Sequence, residues 1–199
     1  MSRTKVIAFA NNKGGSGKTT SCSNIGCALS MMGKKVLMID MDPQGNATSG
    51  FGIDKDDVEH SVYDVLINGV EMNSAIIHTK YKNMDVCPSN IQLSGAEIEL
   101  SEVENREFVL KNALSEVKDN YDFIIIDCPP SLGMLTVNAL TAADGMIIPM
   151  QCEYLALEGL SQMLMTVKQI KKLYNPKLSL TGILITMYNG RLNLSIQVL

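Results

Sequence analysis

The stretch Lys5-Val6-Ile7-Ala8-Phe9-Ala10-Asn11-Asn12-Lys13-Gly14-Gly15-Ser16-Gly17-Lys18-Thr19-Thr20 decides the fold. Lys5 to Ala10 reads as a buried strand, and Gly17 to Met32 as a helix of small and apolar residues, with a glycine-rich turn between them. Glycines let backbone N–H groups approach an anion closely, and the helix after the turn directs its positive end at the same point. At this spacing Lys18 supplies a point charge to a β/γ phosphate pair, and the Thr19 hydroxyl stands where it ligates Mg²⁺. The strict G-x-x-x-x-G-K-[ST] string fails at Asn12. The variant K-G-G-x-G-K-T stands in its place, with an additional lysine, Lys13.

Working outward, Val36 to Ile39 is a second strand, introduced by the stop Gly33-Lys34-Lys35. It ends in Asp40-Met41-Asp42-Pro43-Gln44-Gly45-Asn46, two carboxylates at i and i+2. At the carboxyl end of a strand they enter the crevice where open α/β sheets bind ligands. One can hold a metal or its water shell while the other orients a nucleophilic water. Phe123 to Ile126 is an unbroken apolar run, as in a parallel strand covered on both faces, and it delivers Asp127 to a metal shell. Pro129 and Pro130 stiffen the chain just beyond that acid. Residues 45–90 read as loops with a short helix near Ser61 to Leu66 and a strand near Met84 to Cys87, and Ala96 to Lys118 as one helix. Beyond them come a helix from Leu132 to Ala142, a strand from Met146 to Met150, a helix from Leu155 to Tyr174 and a strand from Leu180 to Met187. This alternation predicts an α/β fold: a doubly wound, mostly parallel sheet with helices on both faces.

Hydrophobic residues make up 46% of the 199 and charged residues 19%, the balance of an ordinary soluble domain with a packed core. The run Val6 to Ala10 is too short for a signal-peptide core, and no apolar run approaches the length of a bilayer. A cytoplasmic address without stable membrane association is expected. Cys22, Cys27, Cys87, Cys128 and Cys152 show no C-x-x-C pair or metal-ligand spacing, so free thiols are expected. The net charge is −4, but residues 151–199 carry Lys168, Lys171, Lys172, Lys177 and Arg191 against Glu153 and Glu158, a local +3. Nucleic acid responds to such local charge rather than to the total.

Taken together, Lys13 to Thr20, the run Asp40 to Gly50, and Asp127-Cys128-Pro129-Pro130-Ser131-Leu132-Gly133 resemble the ParA/Soj branch of the MinD-type P-loop ATPases, the deviant Walker A family. Gln151-Cys152-Glu153-Tyr154, Leu157 to Leu160 and Thr186-Met187-Tyr188-Asn189-Gly190-Arg191 extend the likeness over essentially the whole chain. The Asp-Pro-Gln-Gly-Asn run favours the ParA branch over the septum-site and nitrogenase-iron-protein branches. The resemblance implies an ATPase that binds ATP or ADP with Mg²⁺ through Lys13, Gly14, Gly15, Ser16, Gly17, Lys18, Thr19, Thr20 and Asn189. It implies that Lys13 crosses to the partner's nucleotide in an ATP-sandwich homodimer. Asp42 would position the attacking water, Thr19, Asp40 and Asp127 would serve the metal, and Lys13, Lys18, Asp42 and Asp127 form the catalytic set. Asp40 would lie in the first switch region. The family dimer binds DNA non-specifically, Arg191 matching an arginine associated with that contact, and a ParB/Spo0J-type centromere-binding protein stimulates hydrolysis. Chromosome or plasmid partitioning on the nucleoid, with regulation of replication initiation, is the implied role. A MinD-like positioning ATPase and a non-hydrolysing regulatory scaffold are the alternatives. Leu194, Ile196, Val198 and Leu199 look like the opening of a further helix. Residues 1–199 are therefore expected to form one ATPase domain lacking the family's usual C-terminal strand and helices.

If Arg191 contacts phosphate, Arg191→Ala lowers the magnitude of the log–log salt slope of duplex binding by about 0.9. A salt titration with ATP present measures this, and an unchanged slope and affinity would make Arg191 a solvated surface residue.

Overall fold

The computed structural model describes residues 4–189 and Arg191. The expected apolar terminus from Leu194 lies outside the described residues. Strands β1 (Lys5–Phe9), β2 (Val36–Asp40), β3 (Ile77–His78), β4 (Met84–Cys87), β5 (Phe123–Asp127), β6 (Gly145–Gln151) and β7 (Ser179–Thr186) form one sheet in the order β3-β4-β2-β5-β1-β6-β7. Every pairing is parallel except β3 with β4. Helices α1 (Lys18–Met31), α2 (Asn46–Gly50), α3 (Met72–Ala75), α4 (Ala96–Glu99), α5 (Val109–Leu114), α6 (Met134–Ala142) and α7 (Tyr154–Leu173) fill the connections.

Period-two alternation divides the core between two faces. Leu37, Ile39, Ile124 and Ile126 pack with Leu135 and Ala139 of α6 and Met163 and Val167 of α7. Val36, Met38 and Ile125 belong to the cluster that takes in Cys22 of α1. Both faces of β2 and β5 are therefore covered, which is why these strands are unbroken apolar runs. Register then positions the site. Phe9 pairs with Asp127, and Asp127 with Asp40, so β1, β5 and β2 end at one level. The chain leaves β1 for β2 on one side and returns through β5 to β6 on the other, opening a crevice at the carboxyl end of β1.

The single helix expected across 96–118 is broken. A 3₁₀ turn at Leu100–Glu102 succeeds α4, Val103 is extended, Asn105 takes a left-handed φ of 55°, and α5 starts only at Val109. Leu100, Leu110, Leu114 and Val117 are all buried. In one straight helix Leu100 and Leu110 would point about 80° apart, so the break brings both onto the core. The freed backbone groups are taken by Asn138 of α6, which is fully buried. Its Oδ1 accepts the Leu110 amide at 3.1 Å, and its Nδ2 donates to the Arg106 carbonyl at 2.8 Å. Within 45–90, β4 lies as expected and a helical turn ends in the π-helix Asp64–Asn68, but α2, α3 and the antiparallel pair β3–β4 were not legible. Two residues of strand leave too short a pattern to read.

Asn138→Leu strands a buried amide and a buried carbonyl while keeping the side-chain volume. It should lower unfolding stability by about 2 kcal/mol, read as a fall in the urea midpoint. An unchanged midpoint would contradict the bridging role.

Candidate active site

The loop after β1 is fastened from outside. The Asn11 side chain is buried, donating to the Pro149 carbonyl at 2.7 Å and accepting the Lys13 amide at 3.0 Å. The ends of β6 and β7 hold the loop's carbonyls: Gln151 Nε2 donates to Gly15 O at 2.7 Å, and Thr186 Oγ1 to Ser16 O at 2.8 Å. Lys18 Nζ donates to Lys13 O at 3.1 Å. Gly17 has φ 83° at the start of α1, where a side chain would be strained and its Cβ would meet Thr186 Cγ2 at 3.2 Å. No side chain caps α1, and its first turn carries no acid. The first-turn amides have no intrahelical acceptors, so the positive end of the helix is left to a ligand. The cavity there has a volume of about 390 Å³ and is lined by Gly14 to Thr20 with Asp42, Gln44, Asn46, Pro130 and Met187.

The three acids have different surroundings. Asp40 is fully buried and engaged on both oxygens: Oδ1 accepts the Asp42 amide at 3.1 Å, and Oδ2 accepts the Thr48 amide at 2.8 Å and hydroxyl at 2.7 Å. Burial raises its pKa, and these hydrogen bonds oppose the rise. Asp40 thus organises the turn into α2 and does not line the cavity. Asp42 lines it, with Oδ1 accepting the Gln44 amide at 2.9 Å. Asp127 is fully buried at the end of β5, and neither carboxylate oxygen meets a donor in hydrogen-bonding geometry. Burial pushes its pKa up to about 7; the nearby Thr19 hydroxyl offsets this only in part, Asp40 and Asp42 add to it, and Lys18 opposes it. Lys18 is itself buried, its pKa lowered by desolvation and partly restored by Asp127.

Lys18, Thr19, Asp42 and Asp127 are therefore brought together, as are Gly14, Gly15, Ser16, Gly17 and Thr20 around the cavity. Lys13 is not: its ammonium is ion-paired with Glu153 at the rim. Asn189 and Arg191 are exposed outside the lining, joined to each other by the Arg191 amide and Asn189 Oδ1 at 3.1 Å. Sequence reasoning did not single out Asn11, Thr48, Gln151 or Thr186 as supports. Three of them are polar residues at or just beyond the ends of apolar strands, the one signal that marks them. The arrangement is a cradle for a phosphate chain, with a buried, unsatisfied carboxylate beside a hydroxyl that suits a hard cation.

A family model described as "AAA domain" matches residues 4–180. The sporulation initiation inhibitor protein Soj of Bacillus subtilis (strain 168) is 57% identical over 195 residues, which is 98% of this chain and 77% of that protein. The chromosome-partitioning ATPase Soj of Treponema pallidum (strain Nichols) is 50% identical over 194 residues, covering 98% of this chain and 76% of that protein. A crystal structure of cobyrinic acid a,c-diamide synthase from Mycobacterium smegmatis with bound ATP analog and magnesium superposes with a TM-score of 0.93 at 46% identity, covering 98% of this chain and 80% of that one. With the glycine-rich loop and the strand-end carboxylates in place, the chain belongs to the Soj/ParA family of chromosome-partitioning ATPases.

Proposed function

We propose that this chain binds ATP with Mg²⁺ in the loop cavity and hydrolyses it slowly, and that its ATP-bound homodimer holds DNA without sequence preference for chromosome or plasmid partitioning. The observation that carries the reading is the unpartnered Asp127 carboxylate, buried beside Thr19 and Lys18 at the uncapped start of α1. The likeness to a structure with an ATP analog and magnesium supports it.

Each residue has a task in this reading. The amides of Gly14 to Thr20 receive the phosphate oxygens, and Lys18 balances their charge. Thr19 and Asp127 would hold Mg²⁺, which would neutralise the charge that develops on the phosphate oxygens. Asp40 fixes the turn that carries Asp42. Asp42 gives one oxygen to the Gln44 amide and keeps the other for orienting the attacking water. Lys13 exchanges Glu153 for the nucleotide of the partner subunit on dimerisation, and Asn189 approaches the nucleotide from beyond β7. Arg191 and the basic 151–199 segment supply the DNA contact. A ParB/Spo0J-type protein accelerates turnover and releases the dimer, and the same switch regulates replication initiation. The site of action is the nucleoid in the cytoplasm. Among the described residues no helix is long and apolar enough to cross a membrane.

Two substitutions separate binding from hydrolysis. Lys18→Ala should weaken ATP binding on the order of 100-fold, from one lost charge-assisted contact in a dry site, with the thermal transition retained. Asp42→Ala should keep ATP affinity within a few-fold and lose turnover by roughly 10²-fold or more, the usual worth of a positioned base. Calorimetric titration and steady-state phosphate release measure the two. Unchanged affinity in folded Lys18→Ala, or wild-type turnover in Asp42→Ala, would contradict the assignment.

A further inference from the structure

At the end of the sheet remote from the loop, a second cavity of about 350 Å³ lies beside the amino ends of β1 and β6. Five residues of β1 put it roughly 17 Å from the P-loop. Lys111 of α5, Lys118 of the 3₁₀ turn after it and Lys177 after α7 all line it. Among the described residues none of the three has a carboxylate within ion-pair distance. Lys111 Nζ is steered by the Phe108 ring, 5.6 Å from its centroid, and the backbone at Lys118 is fastened by the Thr4 hydroxyl at 2.7 Å. The one acid in the lining, Asp144, gives Oδ2 to the Val6 amide at 3.0 Å.

Two further features favour a negative ligand. The carbonyls at the end of α6 would repel an anion, but Asn175 Nδ2 donates to Leu140 O at 3.0 Å and to Ala143 O at 2.7 Å. Thr141, in the same wall, is fully buried and its hydroxyl has no partner. A buried donor without an acceptor is rare in folded proteins and calls for an explanation. Three lysines from three separate elements thus border one concavity, Lys111 and Lys177 exposed and Lys118 half-buried.

We propose that this cavity binds a small anion carrying phosphate groups, at a site distinct from the nucleotide cavity. The three lysines share the lining of one hollow, which suits a compact polyanion better than the spaced phosphates of a duplex. The inference is independent of the ATP assignment, because no residue is shared between the two sites.

The test is an amide NMR titration of the chain with sodium tripolyphosphate in Mg²⁺-free buffer. Resonances of Ser115, Thr141, Asp144 and Lys177 should shift together and saturate with one sub-millimolar dissociation constant. In Lys118→Gln/Lys177→Gln that constant should rise at least tenfold, while the shifts of Gly14 to Thr20 stay as in the parent. Movement without saturation, in step with amides near the exposed Lys34 and Lys82, would overturn the proposal, as would an unaffected double variant. A short DNA duplex is titrated in parallel. Tighter binding of the duplex than of tripolyphosphate at the same resonances would also overturn it, assigning the lysines to nucleic-acid backbone.

Discussion

Asp127 ends the central strand β5 with its carboxylate out of water and no donor on either oxygen. A carboxylate desolvated in this way is costly unless it is paired, coordinated or protonated. Its surroundings relieve it only in part, since the nearby Thr19 hydroxyl and Lys18 oppose the cost while Asp40 and Asp42 add like charge. Much of the architecture bears on keeping it there. Strands β1, β5 and β2 must end at one level, which their shared register secures. Both faces of β5 must be dry, which the two core clusters secure.

The loop above this carboxylate depends on strands far away in sequence. Gln151 and Thr186 turn the carbonyls of Gly15 and Ser16 toward the protein, across separations of 136 and 170 residues. A loop fastened on its carbonyl side is organised before a ligand arrives, so less ordering entropy is lost on binding. Lys13 is a different kind of element. Its half-exposed pairing with Glu153 is weak in water, so the ammonium can change partner at small free-energy cost. Fixed amides thus stand beside a lysine whose ion pair is open to water.

Legibility depends on where the information lies in the chain. The strands β1, β2 and β5 were legible because burial on both faces leaves an unbroken apolar run. The loop was legible because phosphate geometry constrains residues adjacent in sequence. The break near Asn105 was not, because the group that compensates it, Asn138, lies on another helix 28 residues beyond Leu110. Asp40 and Asp42 look alike in sequence at i and i+2. Only the Thr48 contacts, eight residues on, separate the turn-organising acid from the cavity-lining one. Asn189 was marked by family likeness alone and Arg191 by that likeness and the local positive charge, and nothing in their described surroundings ties them to the cavity.

The central claim is that Asp127 is kept desolvated and unpartnered for a cation bound with nucleotide. Asp127→Asn tests it by two readings on one protein. At pH 8, above its raised pKa, removing this buried charge should raise the urea-unfolding stability of the nucleotide-free protein by about 1–2 kcal/mol. In the same variant the gain in ATP affinity on adding Mg²⁺ should fall at least tenfold. Lower stability of the nucleotide-free variant, or an undiminished Mg²⁺ effect, would contradict the account.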